Sequence, residues 1–263
     1  MASENRVIIS IFVALVVIIA AVFGWWFLIR DSVDESLETA VAATPTPVPV
    51  PTPTLEERLS SRLSGTTLAT SDIVVRELVA EISSNPDLAL WLVNEDLVRR
   101  FVASVDNIAS GISPRAHLDF LRPEGGFEVD QRRNGILVIE SDSYDRYDLV
   151  AQVFSSVDTE GAVTLYRELK PLIDEAFAEI GPANTRFDDR LDRAFDLLLA
   201  APVLEGPAEV EQLVVTYAWS DDRIEALSAA QRHLLRMGPE NVSLIQDKLR
   251  DLRAALAVSP VAD

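Results

Sequence analysis

The sequence predicts a mainly α-helical protein: a single transmembrane helix, a Pro-rich linker, and then a helical domain with a small β-hairpin and one further short strand. Three observations lead to this prediction. Residues 7–29 carry no charge, and Ser10 is their only polar side chain. Prolines occupy every second position from Pro45 to Pro53. After residue 70, apolar residues recur at helical spacing through most of the chain.

Residues 7–29 have the length and hydrophobicity of a membrane-spanning helix. At about 1.5 Å per residue, a helix of this stretch is roughly 35 Å long, compared with a hydrocarbon core of about 30 Å. Trp25 and Trp26 lie near its end, where indole rings favour the headgroup layer, and Arg30 follows. The stretch is longer than the apolar core of a signal peptide, and the cleavage-like Ala40–Ala42 lies beyond an acidic run. We therefore expect a retained anchor.

The orientation of this predicted anchor follows from a slight charge bias. Arg6 precedes the apolar stretch and Arg30 follows it, and the favoured orientation leaves residues 1–6 as a cytoplasmic stub. This predicts a single-pass protein of the bacterial inner membrane with its C-terminal domain in the periplasm. The opposite orientation, with the domain facing the cytoplasm, stays open.

Residues 30–69 are predicted to form an acidic and Pro-rich linker. Alternating prolines forbid helix and favour an extended polyproline II spacer. A ligand for a proline-recognising domain is the less favoured alternative, because the prolines alternate and form no clear PxxP pattern. Residues 55–68 are polar and weakly patterned, so we expect a loose lead-in there.

Residues 70–257 are predicted to form the mostly helical domain, followed by a tail over residues 258–263. Asn94 is the expected N-cap of a helix that Gly111 closes. Pro171 predicts a kink or break, because proline removes a backbone donor. Helical periodicity predicts the other helices at about residues 72–83, 86–91, 144–156, 158–180, 187–200, 221–236 and 240–257.

Two segments of this domain lack helical periodicity. Asn134-Gly135 lies between the apolar segments Phe127–Gln131 and Ile136–Ile139, which predicts a β-hairpin. Val210–Trp219 is rich in Val, Tyr and Trp and predicts one further strand or extended segment. The apolar seam of the last helix spans only two heptads, so we expect this helix to dock on its own domain and not to form a coiled-coil dimer.

Composition excludes several classes of function. The net charge of −19 disfavours binding to nucleic acid, whose phosphates would be repelled. The absence of cysteine excludes disulfides, thiolate nucleophiles and zinc–sulfur sites. The chain lacks GxSxG, GxGxxG, P-loop and HExxH motifs, so we expect no catalytic residue, cofactor or metal site. Asp188-Asp189 and Asp221-Asp222 are expected at helix starts, and His233 on a solvent-facing helix surface.

Two stretches have a more distinctive residue pattern than their surroundings. They are Ser143–Asp148, with two tyrosines three residues apart, and Leu234–Asn241, which contains Gly238-Pro239. We expect an aromatic-capped helix start in the first and a tight corner between two helices in the second. The turn itself does not require the side chains of Arg236 and Asn241. The candidate interaction or structural residues in these stretches are Tyr144, Arg146, Tyr147, Arg236, Gly238 and Asn241.

These stretches also carry a resemblance to a known family. The segments that carry it are LVRRFVASVDNIASG, YDRYDLV, LYRELKPLIDEAF, DRLDRAFDLLLAAP, LSAAQRHLLRMGPENV and KLRDLRAAL. Over about residues 70–256 the chain resembles the bacterial domain-of-unknown-function family 3014. The resemblance implies an N-terminal anchor, a Pro-rich spacer and a mostly helical domain. It implies no activity, so it assigns no catalytic residue.

These observations together predict an inner-membrane-anchored periplasmic interaction or scaffold protein of the bacterial envelope. Its expected partners are the membrane, through residues 7–29, and other envelope proteins; its oligomeric state is left open. The alternatives are a membrane-tethered, hydrolase-like enzyme that uses acidic residues and a cytoplasm-facing regulator. A deep pocket with carboxylates of perturbed pKa would favour the enzyme, and an exposed apolar patch would favour the interaction protein.

Overall fold

Helices dominate the computed structural model, which describes residues 54–83 and 85–258. Short 3-10 turns also occur at Leu68–Thr70, Pro114–Ala116 and Asp119–Leu121. In chain order the elements are α1 (Leu55–Leu63), α2 (Ser71–Glu81), α3 (Pro86–Trp91), α4 (Leu97–Ala109), β1 (Val129–Gln131), β2 (Leu137–Ile139), α5 (Ser141–Asp145), α6 (Asp148–Ser155), α7 (Thr159–Glu168), α8 (Lys170–Ile180), α9 (Phe187–Leu199), β3 (Glu209–Gln212), β4 (Tyr217–Trp219), α10 (Asp222–Glu225), α11 (Ala229–Leu235) and α12 (Pro239–Val258).

Several local predictions are confirmed by these bounds. The Asn134-Gly135 turn joins β1 and β2, which pair antiparallel with Val129 opposite Ile139. The predicted break at Pro171 falls between α7 and α8, and this proline lies in the first turn of α8, where its missing N–H is harmless.

Helix α1 occupies the segment that was expected to be a loose lead-in. Its start is stabilised by a capping box, in which the Glu57 amide donates to Thr54 Oγ1 at 3.2 Å and the Thr54 amide donates to Glu57 Oε2 at 2.8 Å. Leu59 is buried and packs into the core. Leu63 also packs against the core, and Arg62 forms ion pairs with Glu77 and Glu81 of α2. Two apolar contacts are too few to give a clear apolar period in the sequence.

The start of α4 is capped by a distant residue and not by the predicted Asn94. The Asp72 carboxylate, in the first turn of α2, accepts from the amides of Asp96 and Leu97 at 2.7 and 2.9 Å. Asp96 itself has a left-handed conformation, with φ of 57°. The cap therefore comes from tertiary contact between two helices, which no local pattern reveals.

Two hydrophobic cores share helix α9. The first lies among α1, α2, α4, α7, α8 and α9 and is centred on Phe187, which is fully buried. The second lies between the sheet and helices α6, α9, α11 and α12. Leu191 of α9 packs against both cores, so this helix connects them.

The strands form one antiparallel sheet in the order β1-β2-β3-β4. This corrects the prediction of one strand over 210–219, since that segment folds as a second hairpin whose Val210 pairs with Leu137 and with Trp219. The turn is Leu213–Thr216, closed by a 2.7 Å hydrogen bond from the Leu213 amide to the Thr216 carbonyl. It contains no Gly, Pro, Asn or Asp, so no turn-forming residue marks the reversal.

The seam of α12 docks on its own domain, as expected. Val242, Ile245 and Leu249 are buried in the second core. Gln246, also buried, donates its Nε2 to the carbonyls of Leu198 and Ala201 at 2.9 and 2.8 Å, which fixes α12 to the end of α9.

The predicted transmembrane helix, residues 7–29, lies outside the described residues, as do residues 1–6 and most of the linker. Among residues 54–83 and 85–258, no helix combines the length and the hydrophobicity that a bilayer crossing requires. Helix α12 has 20 residues but contains Asp247, Lys248 and Arg250. The predicted fold class and inner-membrane location are corrected accordingly: the structure supports a mainly helical fold with a four-stranded sheet, and the single-pass periplasmic assignment is withdrawn.

The cap at α4 gives a first testable prediction. Asp72→Ala leaves the amides of Asp96 and Leu97 without their acceptor, so it should lower the free energy of unfolding by about 1–2 kcal/mol. Urea unfolding measures the loss. Glu77→Ala is the control, since this residue lies on the same helix in an exposed ion pair with Arg62 and should change stability little. Equal losses in the two variants would contradict the capping role.

Candidate functional site

The two distinctive stretches of the sequence meet in the structure. We call the contact between residues 144–148 and residues 236–241 the corner. Gly238 has a φ of 87°, and a Cβ placed on it would lie 2.6 Å from Tyr144 Cγ and 2.7 Å from Tyr144 Cβ. The predicted turn between α11 and α12 is confirmed, but Gly238 is required for two reasons: its positive φ and the ring against its backbone.

Asn241 holds the corner together. Its buried Nδ2 lies 3.3 Å from the Tyr144 carbonyl, 2.9 Å from Asp148 Oδ1 and 2.9 Å from the Met237 carbonyl. Its side chain therefore joins the two stretches, a role beyond the turn that the sequence did not predict. The reason is tertiary: its acceptors include a carbonyl that is 97 residues away in the sequence.

The first half of the corner is anchored to the loop before β1. The buried Ser143 hydroxyl accepts from the Glu128 amide at 2.7 Å and donates to the Glu128 carbonyl at 2.8 Å. Burial raises the pKa of the Tyr144 phenol above its ordinary value. These contacts place Tyr144 as a packing residue beneath Gly238.

Arg236 faces the sheet. Its Nη2 donates to the Tyr217 carbonyl at 3.0 Å, and its Cζ lies 5.8 Å from the Phe127 ring centroid and 5.9 Å from that of Trp219. Burial lowers the pKa of Arg236, an effect that Glu225 and Tyr147 oppose. The side chain makes no contact needed for the turn, but it binds the first residue of β4.

Arg146 and Tyr147 belong to the other half of the corner, the segment whose residues 144 and 148 Asn241 binds. Arg146 donates from Nε to the Ser143 carbonyl at 3.1 Å and from Nη1 to the Gly125 carbonyl at 3.2 Å. Its Cζ is 5.6 Å from the centroid of the Tyr147 ring. All six candidate residues of the sequence therefore belong to one region of the fold.

His233 corrects another expectation. It is half-buried and not on a solvent-facing surface, and its Nδ1 lies 2.7 Å from Ser113 Oγ. Burial lowers its pKa, and the charges of Arg115 and Arg236 lower it further. Ser113 is 120 residues away in sequence, so helical periodicity alone could not reveal this partner.

The carboxyl groups of Asp188, Asp221 and Glu179 have lowered pKa values. Burial would raise the pKa of Asp188, but a hydrogen bond from Tyr166 and the charges of Lys170 and Arg186 lower it overall. The pKa of Asp221 is lowered by hydrogen bonds from Arg223, and that of Glu179 by Arg99. General acids at neutral pH need raised values. Within the part of the chain that the structure describes, no three His, Asp or Glu residues are grouped as a metal site.

A cleft of about 450 Å³ lies beside the end of the sheet. Its walls include Val203, Pro207 and Ile224, and Glu205 and Glu209 add negative charge. Asp221 and Arg223 also line it and form an ion pair with a 2.7 Å distance. The cleft therefore holds carboxylates, and the hydrogen bonds from Arg223 that lower the Asp221 pKa favour the ionised form of this group.

The comparisons with known proteins identify the family. A family model described as a protein of unknown function, DUF3014, matches residues 97–253. The chain belongs to this family. The DUF3014 region includes every residue of the corner and begins at the first residue of α4, so α1–α3 precede it. No curated protein and no solved structure matches the chain.

The corner of the DUF3014 region gives a matched pair of variants. Gly238→Ala should lower the free energy of unfolding by about 3 kcal/mol or more, because a left-handed conformation and overpacking against Tyr144 add. Gly135 has a φ of 83° but open space around its Cβ position, so Gly135→Ala should cost only about 1 kcal/mol. Chemical denaturation of both variants separates strain from packing. Equal losses would show that Tyr144 does not pack on Gly238.

The lowered pKa of His233 gives a pH-dependent prediction. The unfolded state binds this proton below about pH 6.5, whereas the folded state resists it. The stability that neutral His233 contributes is therefore fully present above pH 6.5 and is lost as the pH falls through the folded pKa. Thermal melts of the wild type and His233→Asn at pH 7.5 and 5.5 test this. The melting temperature of the wild type should fall relative to that of His233→Asn when the pH is lowered from 7.5 to 5.5. A difference in melting temperature that does not change with pH would contradict the lowered pKa of His233.

Proposed function

We propose that this DUF3014 protein is an interaction or scaffold protein whose described domain binds another protein. One observation carries the proposal: the turn between β3 and β4 exposes three consecutive aliphatic residues. Leu213, Val214 and Val215 are 53%, 97% and 90% exposed. We call these three residues the tip.

The three residues of the tip are unfavourable both in a turn and on a surface exposed to water. Turns of this kind favour Gly, Asn, Asp or Ser, and β-branched valine fits strands better. Burying a valine or leucine side chain contributes about 1.5–3 kcal/mol. A partner surface that covers the tip would therefore gain free energy that the isolated domain leaves unused.

The tip is presented on a supported hairpin. Val210 of β3 pairs with Trp219 of β4, and both side chains are buried in the second core. Arg236 binds the carbonyl of Tyr217, two residues beyond the tip. Preorganisation of this kind lowers the entropy that binding costs.

A protein is the partner class that the charge favours, because a chain with a net charge of −19 repels nucleic acid. We do not propose the hydrolase alternative. Asp188 and Asp221 have lowered pKa values, which suits ionised carboxylates that form ion pairs and not a general acid.

Partner capture with the full-length chain tests the proposal. Val214→Asp places a charge in the tip, so bound partners should be lost, with affinity reduced about tenfold or more because the carboxylate would be desolvated on binding. Val93→Asp is the matched control, since Val93 is 70% exposed on a loop elsewhere. It should retain the partners that the wild type retains.

Thermal melts guard against a folding effect, and both variants should match the wild type because the altered side chains are exposed. Retention of the same partners by Val214→Asp would contradict the proposal. Loss of partners with both aspartate variants would also contradict it, because the effect would not belong to the tip.

A further inference from the structure

Arg146 and Arg236 are half-buried cations with no carboxylate within ion-pair distance among the described residues. The chain has 42 acidic and 23 basic side chains, so carboxylates are abundant. Arg99 shows the paired arrangement: its Nε and Nη2 donate to the two carboxylate oxygens of Glu179 at 2.8 and 2.9 Å. At Arg146 and Arg236, backbone carbonyls and aromatic rings take the place of the acid.

Both guanidinium groups keep unused donors. A guanidinium has five N–H bonds. Arg236 makes one hydrogen bond, from Nη2, within the described part of the chain, which leaves Nε and Nη1 available. Arg146 uses Nε and Nη1, which leaves Nη2. Both arginine side chains are partly exposed.

Tyr147 lies next to Arg146, in the segment that Asn241 holds against the segment of Arg236. Its ring centroid is 5.6 Å from Arg146 Cζ, and its phenol opposes the lowering of the Arg236 pKa. The rings of Phe127 and Trp219 restrict the plane of the Arg236 guanidinium. The three side chains thus offer positive charge and hydrogen-bond donors from fixed positions. Arg236 binds the Tyr217 carbonyl, and Tyr217 lies two residues after the tip in the sequence.

We propose that Arg146, Tyr147 and Arg236 bind a carboxylate of the protein partner, one that is flanked by apolar residues. The choice of a protein partner rests on the proposed function, because the tip would contact those apolar residues. A planar carboxylate matches the two N–H groups of a guanidinium edge. An acidic run or a phosphate dianion would meet stronger repulsion from a chain of net charge −19.

Nuclear magnetic resonance of the full-length chain with ¹⁵N-labelled arginine tests the site directly. The probe is N-acetyl-valyl-leucine, which ends in a carboxylate, and its control is the same dipeptide with a C-terminal amide. At constant ionic strength the carboxylate probe should shift the Nε–H signal of Arg236 saturably, and the amide should not. Arg99, already occupied by Glu179, should not respond. Arg146→Gln should weaken binding about tenfold, because it removes a charge-assisted donor.

Three results would overturn the proposal. The first is an Arg236 signal that does not move, and the second is a shift of equal size at Arg99, which would indicate unspecific screening. In the third, inorganic phosphate shifts Arg236 and the carboxylate probe does not, which would replace a carboxylate site with a phosphate site. The two proposals can fail separately. If Val214→Asp still captures the partners and the Arg236 signal still shifts saturably, only the proposed role of the tip in partner binding is refuted.

Discussion

The contact between Gly238 and Tyr144 is the constraint on which the rest of the C-terminal half depends. The Gly238 backbone approaches the Tyr144 side chain so closely that a Cβ on Gly238 would lie 2.6 Å from Tyr144 Cγ. Asn241 adds hydrogen bonds across the same contact, to the Tyr144 carbonyl and to Asp148. Glycine conformation, ring packing and a buried amide thus fix the entry of α12 relative to α5 and α6, and none of the three can be exchanged independently.

This constraint has consequences for the candidate binding surface. Because the chain turns at Gly238, Arg236 ends beside β4, where it donates to the Tyr217 carbonyl. The same corner brings the segment that carries Arg146 and Tyr147 against the segment that carries Arg236. A structural contact therefore assembles the donors, and the surface that we propose for binding is a by-product of how two distant segments pack.

The sequence allowed prediction of features whose signals are local. Asn134-Gly135 specifies its hairpin by turn type, and Gly238-Pro239 specifies a helix stop and a helix start. The β3–β4 hairpin escaped prediction because its turn, Leu213–Thr216, has no turn-forming residue. The Asp72 cap and the Ser113 partner of His233 escaped because both join distant segments. The candidate site followed the same division: its residues were evident in the sequence, but their meeting and the need for Asn241 were not.

A double-mutant cycle between Asn241 and Asp148 tests the central claim, that the two stretches touch, most directly. Asn241 Nδ2 lies 2.9 Å from Asp148 Oδ1, and the residues are 93 positions apart. Denaturation of the wild type, Asn241→Ala, Asp148→Ala and the double variant gives the coupling free energy. Contact at the corner predicts a coupling of about 1 kcal/mol or more. Additive losses, with a coupling of zero within error, would contradict the corner and the site that it positions.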